Sequence, residues 1–345
     1  MRILHVSLLL SSAAAAELGV LPMISYSSSS GFLYGLRADA VLESGRGGML
    51  TAMAYWTTRG GQYQSFGAVL PRGRGAWRLS LSHDQLRGTD FYGWGNGGDP
   101  DSSLEYDREV DKAYFGRLQE IAGRLTVEAG AEVRHSSAFD LEDGPLWEGL
   151  PSLETASLWT AGPRLGIALD CPGIPGSLEA VFNHQAGSGM SYSSVSLSRT
   201  AFFGLPADVD LCLRYCLGYH SGIEETPFPF LPALGPDELL RGYDTNRFYG
   251  PWTAVANAEL RKVILSAGCS GDGGAGGGPA LTAGAALYAD AGQVAGGFGG
   301  LRQDRYHTDA GIGARIGIGP TLVRIDCTVL SPEGLKLELA FGQPF

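Results

Sequence analysis

The 345-residue sequence lacks any window of about 18 consecutive apolar residues, which excludes a helical membrane span of ordinary length. It also lacks an excess of positive charge, since 36 acidic residues against 25 lysines and arginines give a formal net charge of −11. A surplus of cations is what attracts nucleic acid or anionic lipid to a protein surface. We therefore expect no nucleic-acid partner.

Cysteine is scarce and glycine is abundant. The five cysteines share no C-x-x-C spacing of the metal-binding kind, and their odd number leaves at least one outside any disulfide. The 52 glycines are accompanied by only 18 prolines and show no Gly-X-Y period. Collagen and a disordered tail are thereby excluded, and an all-β, glycine-rich protein is favoured.

The first residues have the composition of an export signal. Arg2 supplies one positive charge, a short apolar stretch follows, and Ala14 and Ala16 form an A-x-A cleavage site. We predict a signal peptide over residues 1–16. The alternative is that this segment is a buried first strand.

Alternation of apolar and polar residues with period two recurs along most of the chain. In TLVRIDCTV, Val323 and Ile325 share one face, whereas Arg324 and Asp326 share the other. A water-soluble sandwich would bury the apolar faces against each other. An outer-membrane barrel would instead turn them toward lipid and place the charges in the lumen.

Loop lengths favour the barrel, because transmembrane barrels join their strands by short periplasmic turns and longer outside loops. We predict sixteen strands, at 20–27, 31–42, 47–58, 61–70, 75–84, 108–121, 123–136, 157–171, 176–186, 191–203, 207–219, 251–263, 280–292, 306–317, 320–330 and 335–344. The long connections 85–107, 137–156, 220–250 and 293–305 then all lie outside, and one long turn, 264–279, breaks the rule. The predicted fold is an all-β, 16-stranded antiparallel transmembrane β-barrel over residues 17–345.

The last strand carries a diagnostic pattern. The residues Leu335, Leu337, Leu339, Phe341 and the terminal Phe345 are expected to share one face. A closing aromatic residue on such a strand resembles the assembly signal of bacterial outer-membrane barrels, and we assign that signal to Leu339, Phe341 and Phe345.

Several segments resemble conserved parts of the BamA/TamA surface-antigen superfamily of outer-membrane barrels. The loop sequence LRGYDTNRFYG lies within residues 239–250, before the strand TAVANAELR. LPMISYSSSSGFLYG is similar to the family's opening hairpin, DFYGWGN to a loop phrase, and ALYADAGQV to its F-x-D-x-G strand, with Tyr288 where phenylalanine is usual. The resemblance spans roughly residues 21–345.

The resemblance implies a loop that folds into the lumen and is held there by an ion pair. Its loop motif corresponds to Arg241, Gly242 and Tyr243, and its partner strand to Tyr288, Asp290 and Gly292. Glycine permits a tight turn, and an arginine can form a bidentate pair with a carboxylate of defined geometry. Asp290 is the expected partner, and Glu259 and Asp326 are further acidic candidates on inward faces.

Members of the superfamily carry periplasmic POTRA domains before the barrel, for which the sequence after residue 16 leaves no room. The resemblance therefore implies a barrel-only protein of the bacterial outer membrane, in contact with outer-membrane lipids and lipopolysaccharide. Nascent outer-membrane proteins or a separate periplasmic protein are its expected partners.

Sites for catalysis, cofactors or metals are not predicted. GWGNGG matches G-x-G-x-x-G in letters but lies outside any βαβ unit. The histidines show no i, i+4 pairing, and His184 with Ser188 lacks a third catalytic member. The acidic residues Asp99, Asp101, Glu105, Asp107, Glu109 and Asp111 could bind a divalent cation, but we interpret them as a solvated acidic loop.

Two functions remain open. The first is a barrel that assists the insertion or translocation of outer-membrane or surface proteins, through a weak junction between its first and last strands. The second is a passive structural barrel, or a pore that favours cations because its inward faces are acidic.

Overall fold

A computed structural model describes residues 15–27, 31–42, 47–150, 157–171, 175–187, 189–226, 228–235, 240–267, 281–318, 321–341 and 345. Sixteen of its strands form one closed antiparallel barrel. Short 3-10 turns occur at Pro145–Gly149, Phe228–Phe230, Phe298–Gly300 and Gln303–Arg305. Across these ranges, no helix combines the length and apolar character that crossing a bilayer requires.

The strands follow each other around the barrel in chain order. Their bounds are β1 (Ala15–Ser27), β2 (Gly31–Leu42), β3 (Gly48–Thr57), β4 (Gln62–Arg72), β5 (Gly75–Phe91), β6 (Leu104–Glu120), β7 (Leu125–Phe139), β8 (Leu158–Asp170), β9 (Ser177–Gly187), β10 (Met190–Leu205), β11 (Val209–Ser221), β12 (Ala233–Leu234), β13 (Phe248–Tyr249), β14 (Trp252–Ala267), β15 (Leu281–Ala295), β16 (His307–Ile318), β17 (Thr321–Leu330) and β18 (Lys336–Phe341). Only β12 and β13 lie outside the barrel, as a two-stranded sheet between β11 and β14.

The predicted number and order of barrel strands is confirmed, but several strands are longer than predicted. β5 continues to Phe91, whereas the sequence pattern predicted its end at residue 84. β6 begins at Leu104, whereas the pattern predicted its start at residue 108. Glu105, Asp107, Glu109 and Asp111 all lie in β6, so the interpretation of these four as loop residues is wrong. The alternation breaks here because the β5–β6 register shifts between Leu86 and Thr89, and because the buried residues beyond that shift, Phe91, Leu104 and Tyr106, are apolar.

The boundaries of two other strands, β1 and β14, also differ from the prediction. β1 begins at Ala15, inside the predicted leader, and residues 1–14 lie outside the described chain. β14 extends to Ala267, and most of the predicted long turn, from 268 on, falls outside the described residues as well.

The wall has an apolar exterior and a polar interior. Large apolar side chains are exposed all around it, including Leu81, Phe115, Val133, Ile167 and Leu287. Buried polar and charged side chains line the inside, including Glu132, Asn183, Gln185, Gln293 and Arg315. A soluble sandwich would bury the first set and expose the second, so this polarity is that of a barrel whose outer face meets an apolar medium.

The junction between the first and last strands is short. β1 pairs with β2 along its full length, from Ala15 with Leu42 to Ser27 with Gly31. With β18, in the part of the chain that is described, it pairs only through Tyr26 with Leu339 and Ser27 with Glu338. We call this junction the seam.

Candidate functional site

A long connection folds into the barrel between β11 and β14, and we call residues 222–251 the lumen loop. Its strands β12 and β13 form a small ladder in which Ala233 pairs with Tyr249 and Leu234 with Phe248. This ladder brings both arms of the loop together. The segment 240–247 thereby forms the loop tip, most of which is buried in the lumen.

Arg241, at the loop tip, is bound by three carboxylates of the wall. Its Nε and Nη2 atoms donate to the two carboxylate oxygens of Asp290 at 2.7 and 2.9 Å. Its Nη1 atom donates to Glu259 at 3.2 Å and to Asp326 at 3.1 Å. These four side chains are almost completely buried, so the structure brings together the arginine and all three acidic residues that the sequence singled out.

Tyr288 adds an aromatic contact to the same cation. The Arg241 guanidinium lies 3.5 Å from the centre of the Tyr288 ring, which is a close cation–π contact. The Tyr288 hydroxyl is 2.8 Å from the Thr328 hydroxyl, and Asn257 donates to Asp290 at 2.9 Å. A tyrosine therefore fits where the family has phenylalanine, because its extra hydroxyl has a buried partner.

The surroundings shift the pKa of two loop-tip residues. Burial alone would lower the pKa of Arg241, but the hydrogen bonds and charge of Asp290 and the neighbouring carboxylates raise it above its ordinary value. Burial, followed by the charges of Asp309 and Glu333, raises the pKa of Tyr243 to about 12. Arg241 is therefore a permanent cation here, and Tyr243 is neutral at physiological pH.

The same carboxylates bind further arginines of the wall. Arg315 donates to Glu259 and to Asp326, at 2.6 Å each. Additional ion pairs join Arg261 to Glu259 at 2.9 Å, Arg324 to Asp326 at 3.2 Å, and Arg324 to Glu338 at 2.7 Å. The resulting lumen charge network consists of Arg241, Arg261, Arg315, Arg324, Glu259, Asp290, Asp326 and Glu338. It connects the loop tip to every strand from β14 to β18.

Gly242 lies in a tight turn, across which the Tyr243 amide donates to the Leu240 carbonyl at 3.2 Å. Its φ is not in the left-handed region, so a special turn conformation is not what requires glycine. A Cβ at Gly242 would lie 2.5 Å from the Cβ of Asp309 and 2.9 Å from that of Ser331. Its amide also donates to Asp309 at 2.9 Å. Close approach of the loop to the wall is therefore what this position needs.

Replacing Gly242 by alanine should accordingly destabilise the barrel by about 1–3 kcal/mol, because the loop tip or the wall must shift to admit the methyl group. Thermal unfolding in detergent, followed by circular dichroism, measures this. Gly296 is a matched control, since a Cβ there meets nothing within 4 Å. Equal melting temperatures for the two alanine variants would contradict the proposed close packing.

Gly292 makes room for apolar residues of the same loop. A Cβ there would meet the Leu240 side chain at 3.2 Å and that of Leu234 at 3.4 Å. Both leucines belong to a buried cluster that also contains Tyr243 and Phe248. The apolar side chains of the lumen loop, Leu234 and Leu240, thus pack against β15, the strand that also provides Asp290.

The tip has polar anchors that the sequence analysis missed. Asp244 accepts from Lys336 at 2.8 Å and from Tyr92 at 3.0 Å, and its amide donates to Glu333 at 3.1 Å. Arg247 also pairs with Glu333. Asp244 and Arg247 follow the Arg-Gly-Tyr motif directly, which was a usable signal, but nothing near Glu333 marks it in the sequence.

An aromatic cluster packs between the loop ends of β5 and β6 and the lumen loop. The rings of Phe91 and Trp147 stack with centroids 4.6 Å apart, and Phe228 of the lumen loop meets Phe91 edge-on at 5.6 Å. The hydroxyls of Tyr106 and Tyr249 are 2.9 Å apart. We call this cluster the outer cap.

The end of the chain only partly follows the prediction. Leu339 lies in β18, opposite Tyr26, and Phe341 is in register with Val323. Phe345 does not share their strand face, because its ring lies 5.2 Å from the Arg261 guanidinium and its main-chain oxygen accepts from Arg261 at 3.3 Å. Its expected placement is therefore wrong, because Phe345 contacts Arg261, whose side chain faces the lumen. The role of these residues as an assembly signal stays a prediction.

The fold and the loop together define a class: a closed 16-stranded barrel with an apolar exterior and an ion-paired lumen loop. Among solved structures, CdiB from Escherichia coli is similar with a TM-score of 0.64 at 13% identity, covering 94% of this chain and 62% of that one. BamA from Haemophilus ducreyi lacking POTRA domains 1–3 matches with a TM-score of 0.59 at 13% identity, covering 94% and 70%. CdiB from Acinetobacter baumannii gives 0.59 at 14%, covering 94% and 59%.

Neither the models of known families nor the curated protein sequences give a match to this sequence. The structural likeness confirms the BamA-type barrel that the sequence motifs predicted, and identities of 13–14% establish the fold alone. The chain spans about three fifths of each CdiB chain, so activities of those whole proteins are not transferred with the fold.

Proposed function

We propose that this protein is a barrel of the bacterial outer membrane that assists the insertion or translocation of outer-membrane or surface proteins. The seam is the observation that carries the proposal. In the described chain, β1 and β18 pair only through Tyr26 with Leu339 and Ser27 with Glu338, whereas each other junction of the barrel has at least six residue pairs. A fully closed barrel has no free sheet edge. A short seam leaves part of the edge of β1 unpaired.

The edge that the seam preserves can accept an incoming strand. Within the described residues, most of β1 pairs with β2 alone. Its backbone N–H and C=O groups are therefore available to pair with an extended segment of a client, as in β-strand addition.

The lumen charge network holds one side of the seam, the side formed by β18, in place. Through Arg324 and Glu338 it extends to β18, so the C-terminal side of the seam is tied to the loop tip. Opening then requires movement of β1 and its neighbours rather than rearrangement of buried charges, which would be far more costly.

The membrane location rests on the polarity of the wall. The exposed apolar side chains form the kind of band that lipid tails cover, and outer-membrane lipids with lipopolysaccharide are the expected surroundings. No catalytic step is part of this proposal.

The test measures client insertion. Liposomes containing the purified barrel should fold an unfolded outer-membrane protein faster than empty liposomes, and depletion in cells should lower the abundance of at least one such protein. Normal abundance of every outer-membrane protein after depletion, with no acceleration in liposomes, would reject the function.

A passive pore is the second candidate, and the lumen argues against it. The outer cap occupies space inside the barrel, and Glu259 and Asp326 are neutralised by arginines, so these carboxylates do not favour cations. Planar-bilayer recordings should therefore show little conductance for the intact protein. Steady cation-selective conductance of the intact barrel would favour the pore instead.

A further inference from the structure

A row of ionisable side chains crosses three neighbouring strands on the outside of the barrel. His83 in β5 is the register partner of Asp111 in β6, and Asp111 is the partner of His135 in β7. These residues have the same strand parity as Leu81, Phe115 and Val133, which are exposed on the outer wall. The row therefore lies on the outer face, separate from the lumen charge network.

Asp111 is the centre of the row. One of its carboxylate oxygens is 2.8 Å from Nδ1 of His83, and the other is 3.0 Å from Nδ1 of His135. Glu109 lies two residues earlier on the same face of β6. Potential ligand atoms of His83, Glu109 and Asp111 all lie within 4.8 Å of one another.

We propose that His83, Glu109 and Asp111 form a binding site for a divalent transition metal, with Zn²⁺ the best match. One imidazole and two carboxylates are a donor set that Zn²⁺ accepts, at about 2.0–2.2 Å from each atom. Tetrahedral ligands at that radius lie about 3.4 Å apart, so only side-chain rotations are needed to close the site. An imidazole ligand disfavours Mg²⁺ and Ca²⁺, which prefer oxygen.

His135 has a positioning role in this site. By donating from Nδ1 it can hold the second oxygen of Asp111, while its Nε2 is 2.7 Å from the Ser157 hydroxyl. Partners of this kind orient a metal ligand without contacting the ion. Three protein ligands leave a coordination position for water.

The local charge also favours a cation. Within the described residues, no lysine or arginine forms an ion pair with Glu109 or Asp111. The His135 ring lies 4.7 Å from the ring of Trp159, a residue type that marks the membrane boundary in outer-membrane barrels. The position at that boundary rests on the proposed function, whereas metal binding itself does not. Two carboxylates near an apolar medium are costly unless a cation compensates them.

Searching for helical i, i+4 spacing could not find this site. Its residues are adjacent across strands, and the sequence separation of His83 and Asp111 is set by the lengths of β5, β6 and the loop that joins them.

The test titrates Zn²⁺ into the metal-free barrel in detergent, purified without a polyhistidine tag and followed by calorimetry. We expect one saturable site per barrel. The substitutions His83→Gln, Glu109→Gln and Asp111→Asn should each weaken Zn²⁺ binding by at least tenfold, and His135→Gln should weaken it less. Unchanged heat-modifiable gel migration establishes that each variant still folds.

His184→Gln is the matched control. His184 is another wall histidine, hydrogen-bonded to Ser193 at 2.9 Å and outside the proposed ligand group. Its variant should bind Zn²⁺ like the wild type. The proposal is overturned if the wild type shows no saturable site, if Asp111→Asn binds normally, or if His184→Gln weakens binding as much as Asp111→Asn.

Discussion

Replacing Arg241 by alanine should destabilise the barrel by about 3–5 kcal/mol, the range found when one partner of a buried ion pair is removed. The variant removes the cation that Asp290, Glu259 and Asp326 share. Arg315 still pairs with Glu259 and Asp326, but Asp290 loses its arginine. It also removes the strongest link between the loop tip and the wall. We expect a lower melting temperature in detergent and loss of the compact form at a lower temperature in a gel-shift assay.

Two variants make this result specific. Arg302→Ala removes a cation whose pair with Asp304 is mostly exposed, at 60% and 65%, and exposed pairs contribute at most about 1 kcal/mol. Arg241→Lys keeps the charge but cannot form the two-pronged contact with Asp290, so its stability should be intermediate. Wild-type melting of Arg241→Ala would refute the bracing role.

Cross-linking the seam should abolish client insertion. Tyr26→Cys combined with Leu339→Cys places two thiols at opposed positions of β1 and β18, in a background without the native cysteines. Oxidation then prevents separation of the strands. Insertion of a client into liposomes should fall to the rate of empty liposomes and return after reduction.

The control places the same bond in a junction that need not open. Tyr34→Cys with Trp56→Cys joins opposed positions of β2 and β3, and its oxidation should leave insertion unchanged. Full activity of the oxidised seam variant would eliminate strand separation as the mechanism. Equal loss in both variants would instead indicate that general rigidity matters.

Most of the wall could be predicted from the sequence, because the strands carry exposed apolar side chains on one face and polar side chains on the other. Alternation therefore carried the signal through β7, β11 and β17. It failed at the loop ends of β5 and β6, because the register shifts between Leu86 and Thr89 and the buried side chains beyond the shift, such as Tyr106, are apolar. It also failed at β12 and β13, because a ladder of two residues per strand has no measurable period.

The candidate site was predictable only in part. Arg241, Asp290, Glu259 and Asp326 could be named because a family resemblance supplied the motif and strand parity supplied the inward faces. Arg315 and the anchors of Asp244 depend on which strands become neighbours in space, a property that no local pattern contains. Phe345 was misplaced because strand parity was extended past Phe341, where β18 ends.

The lumen charge network also bears on how the barrel is built. All of its members lie between Arg241 and Glu338, so it needs none of the first eleven strands to form. Once these last strands are paired, the C-terminal third of the chain holds itself together while the wall is still an open sheet. Closure would then be the final step of biogenesis, with β1 arriving at a wall that is already rigid.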